Sequence, residues 1–299
     1  MSSDTSTANF SDGTLGFGAA LSAYLIWGLF PLYYHSLASV PAIEVLCHRV
    51  VWSALLCVIL LAARGKLGEL FAAFADRRTL LGLLGSGLAI SINWGTFIWA
   101  VSVGRALDAS LAYYVMPLVM LLLGVLFLKE KLTARQYAAT AVMLAAVGLL
   151  TWDRGQLPWV VVVLPLSFGF YGLLRKVVAV DAMVGLTVET LLVLPFAVAY
   201  LLTRPEGGAL LQGPAGIKLL LVACGPVTTL PLVLFSYGAR RLPLSTAGVL
   251  QYINPTMQAA LAVAVLGEAL GRLQFVSFAL IWFGLLLYSL PMRSRVAAD

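Results

Sequence analysis

Residues 109–132 read ASLAYYVMPLVMLLLGVLFLKEKL, and residues 247–270 read AGVLQYINPTMQAALAVAVLGEAL. Laid over one another at an offset of 138, they put Tyr114 on Tyr252, Pro117 on Pro255 and Glu130 on Glu268. The register persists upstream, where WAVSVG (Trp99 to Gly104) falls on YGARRL (Tyr237 to Leu242) and Phe97 on Phe235. With a few residues of slippage, Glu44 falls beside Glu189. A Y-x-x-P followed thirteen residues later by Glu, present twice, points to an internal duplication with a period longer than a solenoid's.

What has been duplicated follows from composition. The 299 residues are 61% hydrophobic and 11% charged, with a mean hydropathy of +0.97; soluble domains carry roughly 25% charged residues. Apolar runs of about 20 residues, the length that crosses a hydrocarbon core, recur along the chain. They divide it into ten expected spans: 15–34, 43–62, 79–101, 109–128, 135–152, 157–174, 185–203, 216–239, 245–266 and 272–291. Inside lipid every backbone polar group needs an internal partner, and these segments are too long for barrel strands. The expectation is therefore an all-α integral membrane protein. Its repeats cover 15–152 and 157–291, flanked by a polar, disordered tail at 1–14 and a short tail at 292–299. The first tail lacks the basic region of a secretory signal.

Parity then sets the architecture. Five spans per repeat oblige the second repeat to cross the membrane in the opposite sense. Inverted repeats of this kind are a transporter architecture, with substrate held where the halves meet. A duplicated structural or enzymatic membrane domain is the alternative. Orientation comes from the basic residues. Arg64, Lys66, Arg77, Arg78, Lys129, Lys131, Arg135, Arg175, Lys176, Arg240, Arg241, Arg293 and Arg295 fall on the side of the termini. Arg105, Arg154, Arg204, Lys218 and Arg272 fall on the other. Thirteen against five places both termini in the cytoplasm, and accounts for the net charge of +6 without a nucleic-acid partner.

Other chemistries find little support. Cys47, Cys57 and Cys224 lie in apolar runs without C-x-x-C spacing, and read as buried inert thiols. Two histidines, His35 and His48, cannot make a His-rich metal site, and neither a Walker A sequence nor G-x-S-x-G occurs. No cofactor or metal is expected. The partners are a small-molecule substrate and the lipid bilayer.

The polar residues inside the spans are the candidates for function. IEVLCHRVVW (Ile43 to Trp52) places Glu44 and His48 on one helix face, with Arg49 rotated about 100° from His48. A charge so placed costs at least about 2.5–3.5 kcal/mol on insertion scales, and normally faces a bundle interior or water. Arg49 therefore either lines a substrate path, with Glu44 and His48 as its polar surroundings, or ties helices together. Asn93, Tyr113, Tyr114 and Pro117 share its depth layer; Glu189, Gln251, Tyr252 and Asn254 form the mirrored layer toward the opposite surface. Glu189, in TVETLLVLP, reads as a proton-coupling group, a counter-charge or a snorkelling end residue. Glu130 and Glu268 read mainly as structural, paired with nearby Lys or Arg. Trp27, Trp94 and Trp99 suit either a cavity or an interfacial belt. Pro31, Pro117, Pro231 and Pro255 release backbone groups within spans and permit hinges.

AYLIWGLFPLYY, IEVLCHRVVWS, NWGTFIWAV, ASLAYYVMPLV, FGFYGLLRK, ETLLVLP and LQYINPTMQ closely resemble, in order, segments of the RarD branch of the EamA-type transporters, within the drug/metabolite transporter superfamily. The resemblance covers residues 15–290. It implies ten helices in two inverted five-helix repeats around a central cavity. It further implies secondary transport, often export, of small metabolites or drugs across the bacterial inner membrane. By that resemblance Trp27, Asn93, Tyr113, Tyr114, Tyr171, Gln251, Tyr252 and Asn254 line the cavity, and the second helix lies nearer the outer gate. Two layers of polar residues, rather than a continuous stripe, favour alternating access over a passive channel; an integral-membrane enzyme is the remaining rival.

Overall fold

A computed structural model describes residues 5–128, 134–154, 159–239, 250 and 252–289. Among them the regular structure is helical throughout, and ten principal helices run in chain order. The first repeat holds α1 (Thr5–Gly28, continued past Leu29 by Phe30–His35), α2 (Ala42–Ala63), α3 (Arg77–Ser102), α4 (Ala106–Leu128) and α5 (Ala134–Arg154). The second holds α6 (Trp159–Val177), α7 (Ala182–Leu202), α8 (Ala215–Ala239), α9 (Ile253–Ala264) and α10 (Arg272–Ser289). Within the described residues, Gly13–His35, Ala42–Ala63, Arg77–Ser102, Ala182–Leu202 and Ala215–Phe235 are each long and apolar enough to cross a membrane alone. Leu126, Phe196 and Leu219 turn outward, at 70% exposure or more. An aqueous protein could not carry that surface at such density; in a bilayer it meets acyl chains. The chain is a multi-pass membrane protein.

Helix packing shows the two-fold directly. α1 packs on α8 and α9, and α6, its counterpart, packs on α3 and α4. The contact of α2 with α8 is mirrored by that of α3 with α7. The pairs α2 with α7, α4 with α9 and α5 with α10 map onto themselves. Exchanging helix n for helix n+5 thus preserves these principal contacts between the repeats, and with five helices per repeat the two repeats run in opposite senses.

Local chemistry explains the breaks. Pro31 has no N–H for the carbonyl of Trp27, four residues earlier; α1 is interrupted at Leu29, and Gln258 Nε2 donates to the freed Trp27 oxygen at 3.2 Å. Asp76 caps α3, accepting from the Thr79 N–H at 3.0 Å. Hydrogen bonds from Thr79 hold its carboxyl below the usual carboxylate range.

Two features differ from the sequence-based expectation. The helix of the first span begins at Thr5, so the tail expected to be disordered over 1–14 is helical from that residue. Hydropathy locates where lipid begins, whereas a helix satisfies its own backbone and can continue into water. The expected loops 64–78 and 204–215 also contain short helices, Leu67–Ala75, Pro205–Gly207 and Gly208–Gln212. Leu70 and Ala73 of Leu67–Ala75 are buried while Phe71 is 69% exposed, an amphipathic pattern too short to read as a span.

Candidate functional site

A cavity of about 650 Å³ lies between the repeats. At one end its wall includes the exposed Arg64 and the half-buried Lys66, Arg175 and Asp181. At the other it reaches Arg49, fifteen residues earlier than Arg64 on α2, or about 22 Å at 1.5 Å per residue. Beyond Arg49 the path is filled. Phe30 and Tyr34 meet edge to face at 5.6 Å, Tyr34 and Phe97 at 5.9 Å, and Leu37, Val40 and Val101 pack behind them.

Arg49 forms the floor. Its side chain is 4% exposed, Nη1 donates to Tyr34 Oη at 2.6 Å, and Cζ lies 4.0 Å from the centre of the Trp94 ring. The rings of Phe30 and Tyr34 are each 5.8 Å away. Asn93 stands on the wall, with Nδ2 donating to Leu164 O at 2.8 Å and Ser167 Oγ at 3.2 Å. Trp27, Tyr113, Tyr171, Tyr252, Asn254 and Pro255 complete the expected residues found on the wall.

Several expected residues sit elsewhere. Glu44, 1% exposed, is turned toward the chain beyond α7: it pairs with Arg204 Nε at 3.1 Å and accepts from the Ala209 N–H at 2.6 Å. Gly208, at φ +64°, makes room for it, since a Cβ there would lie 2.5 Å from Glu44 Oε1. His48 is buried at 3% exposure, one turn from Glu44, off the cavity wall, and neither ring nitrogen has a hydrogen-bond partner among the described residues. Neither residue touches Arg49 through a hydrogen bond, unlike the surroundings expected for it. Tyr114 departs from its repeat mate Tyr252: it shares a hydrogen bond with Thr256 and packs on Phe278 and Trp282. Gln251 and the side chain of Pro117 lie outside the described residues.

Glu189 is 1% exposed behind the opposite end of the cavity, where it accepts from Ser86 Oγ and faces Arg175 Nε at 3.8 Å. The two carboxylates thus sit at opposite ends, each with an arginine. Among the described residues Glu268 does not take a Lys or Arg as expected. Its two oxygens accept from the N–H groups of Ala106 and Leu107, at 2.6 and 2.9 Å, capping α4. Negative charge is favoured there because the first N–H groups of a helix lack partners. Glu130 lies outside the described residues.

Sequence reasoning missed Gln258, Phe168, Phe235 and Arg175, all on the wall. Gln258 is accessible from spacing, one turn after Asn254 and bonded to it at 2.7 Å. Phe235 is the repeat mate of Phe97, and both face the cavity. Arg175 reads from sequence only as a topological charge.

A sequence model of the EamA-like transporter family matches residues 14–152 and again residues 158–290. The chain belongs to this family. An uncharacterized transporter of Pseudomonas aeruginosa is 44% identical over 278 residues, covering 92% of this chain and 93% of the relative. The protein RarD of Escherichia coli is 40% identical over 271 residues, covering 90% and 92%. The uncharacterized transporter YojE of Bacillus subtilis is 40% identical over 274 residues, covering 89% and 91%. One crystal structure aligns with a TM-score of 0.62 at 20% identity, over 97% of this chain and 99% of that one, a likeness of fold. The EamA match makes this chain a membrane transporter, and its likeness to RarD over nine-tenths of both chains places it in the RarD branch.

Proposed function

We propose that the chain is a secondary transporter that exports a small metabolite or drug-like solute across the bacterial inner membrane by alternating access, with both termini in the cytoplasm. The observation that carries the reading is the one-sided cavity. It is open at the end bearing Arg64 and Lys66 and filled at the other by Phe30, Tyr34 and Phe97. A passive pore needs one continuous path, whereas a half-channel that ends on packed rings suits a carrier that opens each side in turn. The excess of basic residues beside the open end supports a cytoplasmic position for that end; in this reading the conformation faces inward, ready to load an exported solute. The pair Glu44–Arg204 holds the closed end, and Glu189–Arg175 is its counterpart at the open end. Arg49, Asn93, Trp27, Tyr113, Tyr171, Tyr252, Asn254 and Gln258 form the substrate path; Pro117 and Pro255 act as hinges. The transporter names of the relatives support a non-enzymatic role.

The test is counterflow in proteoliposomes. A carrier loaded with unlabelled solute draws labelled solute inward transiently, whereas a channel equilibrates without overshoot. Conversion of a solute without movement would return the membrane enzyme to first place.

A further inference from the structure

Among the described residues, the carboxylates nearest the cavity each face a cation other than Arg49. Glu44 is held by Arg204 and Ala209, Glu189 by Ser86 and Arg175, and Asp181 at the mouth lies 3.8 Å from Lys66 Nζ. Arg49 has none. Among the described residues it forms no ion pair, and its Nε–H finds no acceptor although the side chain is 96% buried. Aromatic faces and one phenol offset part of the cost of burying a guanidinium, but its formal charge stays uncompensated; isolated buried charges are normally paired. The rest of the wall has the same sign, with Arg64, Lys66 and Arg175 against Asp181 alone.

We propose that the cavity takes an organic anion with a flat aromatic body, whose carboxylate pairs with Arg49 while its ring lies among Trp27, Trp94, Tyr113 and Phe235. The assignment rests on the transport reading and names the substrate class of that cavity. A planar guanidinium presents a fork of N–H groups that matches a carboxylate in two-point contact. Rings around it offer stacking faces, worth about 0.5–1.5 kcal/mol per aromatic pair beyond area. The volume of about 650 Å³ lies within the range of about 300–1,000 Å³ usual for small-molecule sites. A cationic amine would enter past three cations and stop against a fourth. A zwitterion would satisfy Arg49 but leave its ammonium without a free carboxylate. The free Gln258 Oε1, also on the wall, accepts a neutral N–H or O–H on the ligand body.

Three compounds with one ring system and different charge separate the possibilities: indole-3-propionate, tryptophan and tryptamine. Binding of each radiolabelled compound to the purified full-length protein is read by scintillation proximity. Indole-3-propionate is expected to bind at least about tenfold tighter than tryptophan, equivalent to about 1.4 kcal/mol, with tryptamine bound weakest. Arg49→Gln is expected to erase that order. Tighter binding of tryptamine or tryptophan, an unchanged order in Arg49→Gln, or no binding of any of the three at millimolar concentration overturns the assignment. Should Arg49→Gln not fold, competition of labelled indole-3-propionate by benzoate against benzylamine on the wild-type protein makes the same distinction. Benzoate should displace it, and equal displacement by benzylamine overturns the proposal. Proteoliposome flux is scored separately. Movement of tryptamine alone keeps transport and removes the anion; binding of indole-3-propionate without movement keeps the anion site and removes transport.

Discussion

Arg49 Cζ sits 4.0 Å from the centre of the Trp94 ring, nearer than to either other ring it faces. A cation over an indole in a dry site gains about 2 kcal/mol or more, and a planar guanidinium stacks where an ammonium does not. Arg49→Lys is therefore expected to keep the charge and lose most of the transport per folded molecule, with Arg49→Ala at least as inactive. Trp94→Leu should lower the thermal unfolding midpoint, and Trp94→Phe should recover part of it. Flux normalised to monodisperse protein makes the comparison; unchanged specific flux in Arg49→Ala would leave the residue a packing element only.

Glu44 closes the filled end by holding Arg204 and the first turn of the helix Gly208–Gln212. Arg204 keeps 31% of its side-chain exposure and can return to water, so the larger loss on truncation is the buried N–H. Glu44→Ala should cost about 1–3 kcal/mol of stability. A cysteine at Leu37, 1% exposed in the intact protein, should then gain reactivity toward a membrane-impermeant maleimide. Gly208→Ala is expected to act in the same direction by displacing the carboxylate.

At the open end, the Arg175 guanidinium lies directly over Gly185 of α7, in space that any Cβ would occupy. Gly185→Ala should push the arginine aside and leave Glu189 without its cation. Flux is expected to fall in Gly185→Ala and to fall comparably in Glu189→Gln. Wild-type flux in both variants would detach this pair from the transport cycle.

The Glu268 cap makes a purely structural prediction. Glu268→Ala leaves two N–H groups at the start of α4 unpaired and should cost about 1–2 kcal/mol, whereas Glu268→Gln retains an acceptor and should cost less. Calorimetry on detergent-purified protein should show that order, with ligand affinity of the folded fraction unchanged.

Orientation can be read by labelling on a background lacking Cys47, Cys57 and Cys224. A cysteine replacing the exposed Glu206 should react with an impermeant reagent in intact cells, and one replacing the exposed Glu69 only after permeabilisation. The reverse pattern turns the molecule over, and makes the cavity outward-facing.

The sequence carried the membrane class, the duplication and most helix limits, because lipid leaves few choices: span 43–62 became Ala42–Ala63 and span 79–101 became Arg77–Ser102. Residues on the cavity wall were legible where periodicity put a polar group on an apolar helix, as for Arg49 and Asn93. Which face meets a cavity and which meets a neighbouring helix was not legible. Glu44 and Arg49 are five residues apart on α2, and yet one engages the chain after α7 and the other the aromatic floor. Nor could periodicity join Glu268 to Ala106, since a pairing of a side chain with a distant helix end leaves no repeat in the sequence.

The first helix of each repeat rests on the third and fourth helices of the other. During synthesis this imposes a wait. When α5 has left the ribosome, α1 still lacks the surfaces of α8 and α9, and must stay in the membrane among lipids or a chaperone. α6 has no such delay, because α3 and α4 are already in place when it arrives. Neither half is a finished object. A gene cut between α5 and α6 should yield two polypeptides that are degraded when made singly and accumulate when made together. Such mutual dependence would keep the halves together in one reading frame long after their sequences had drifted apart.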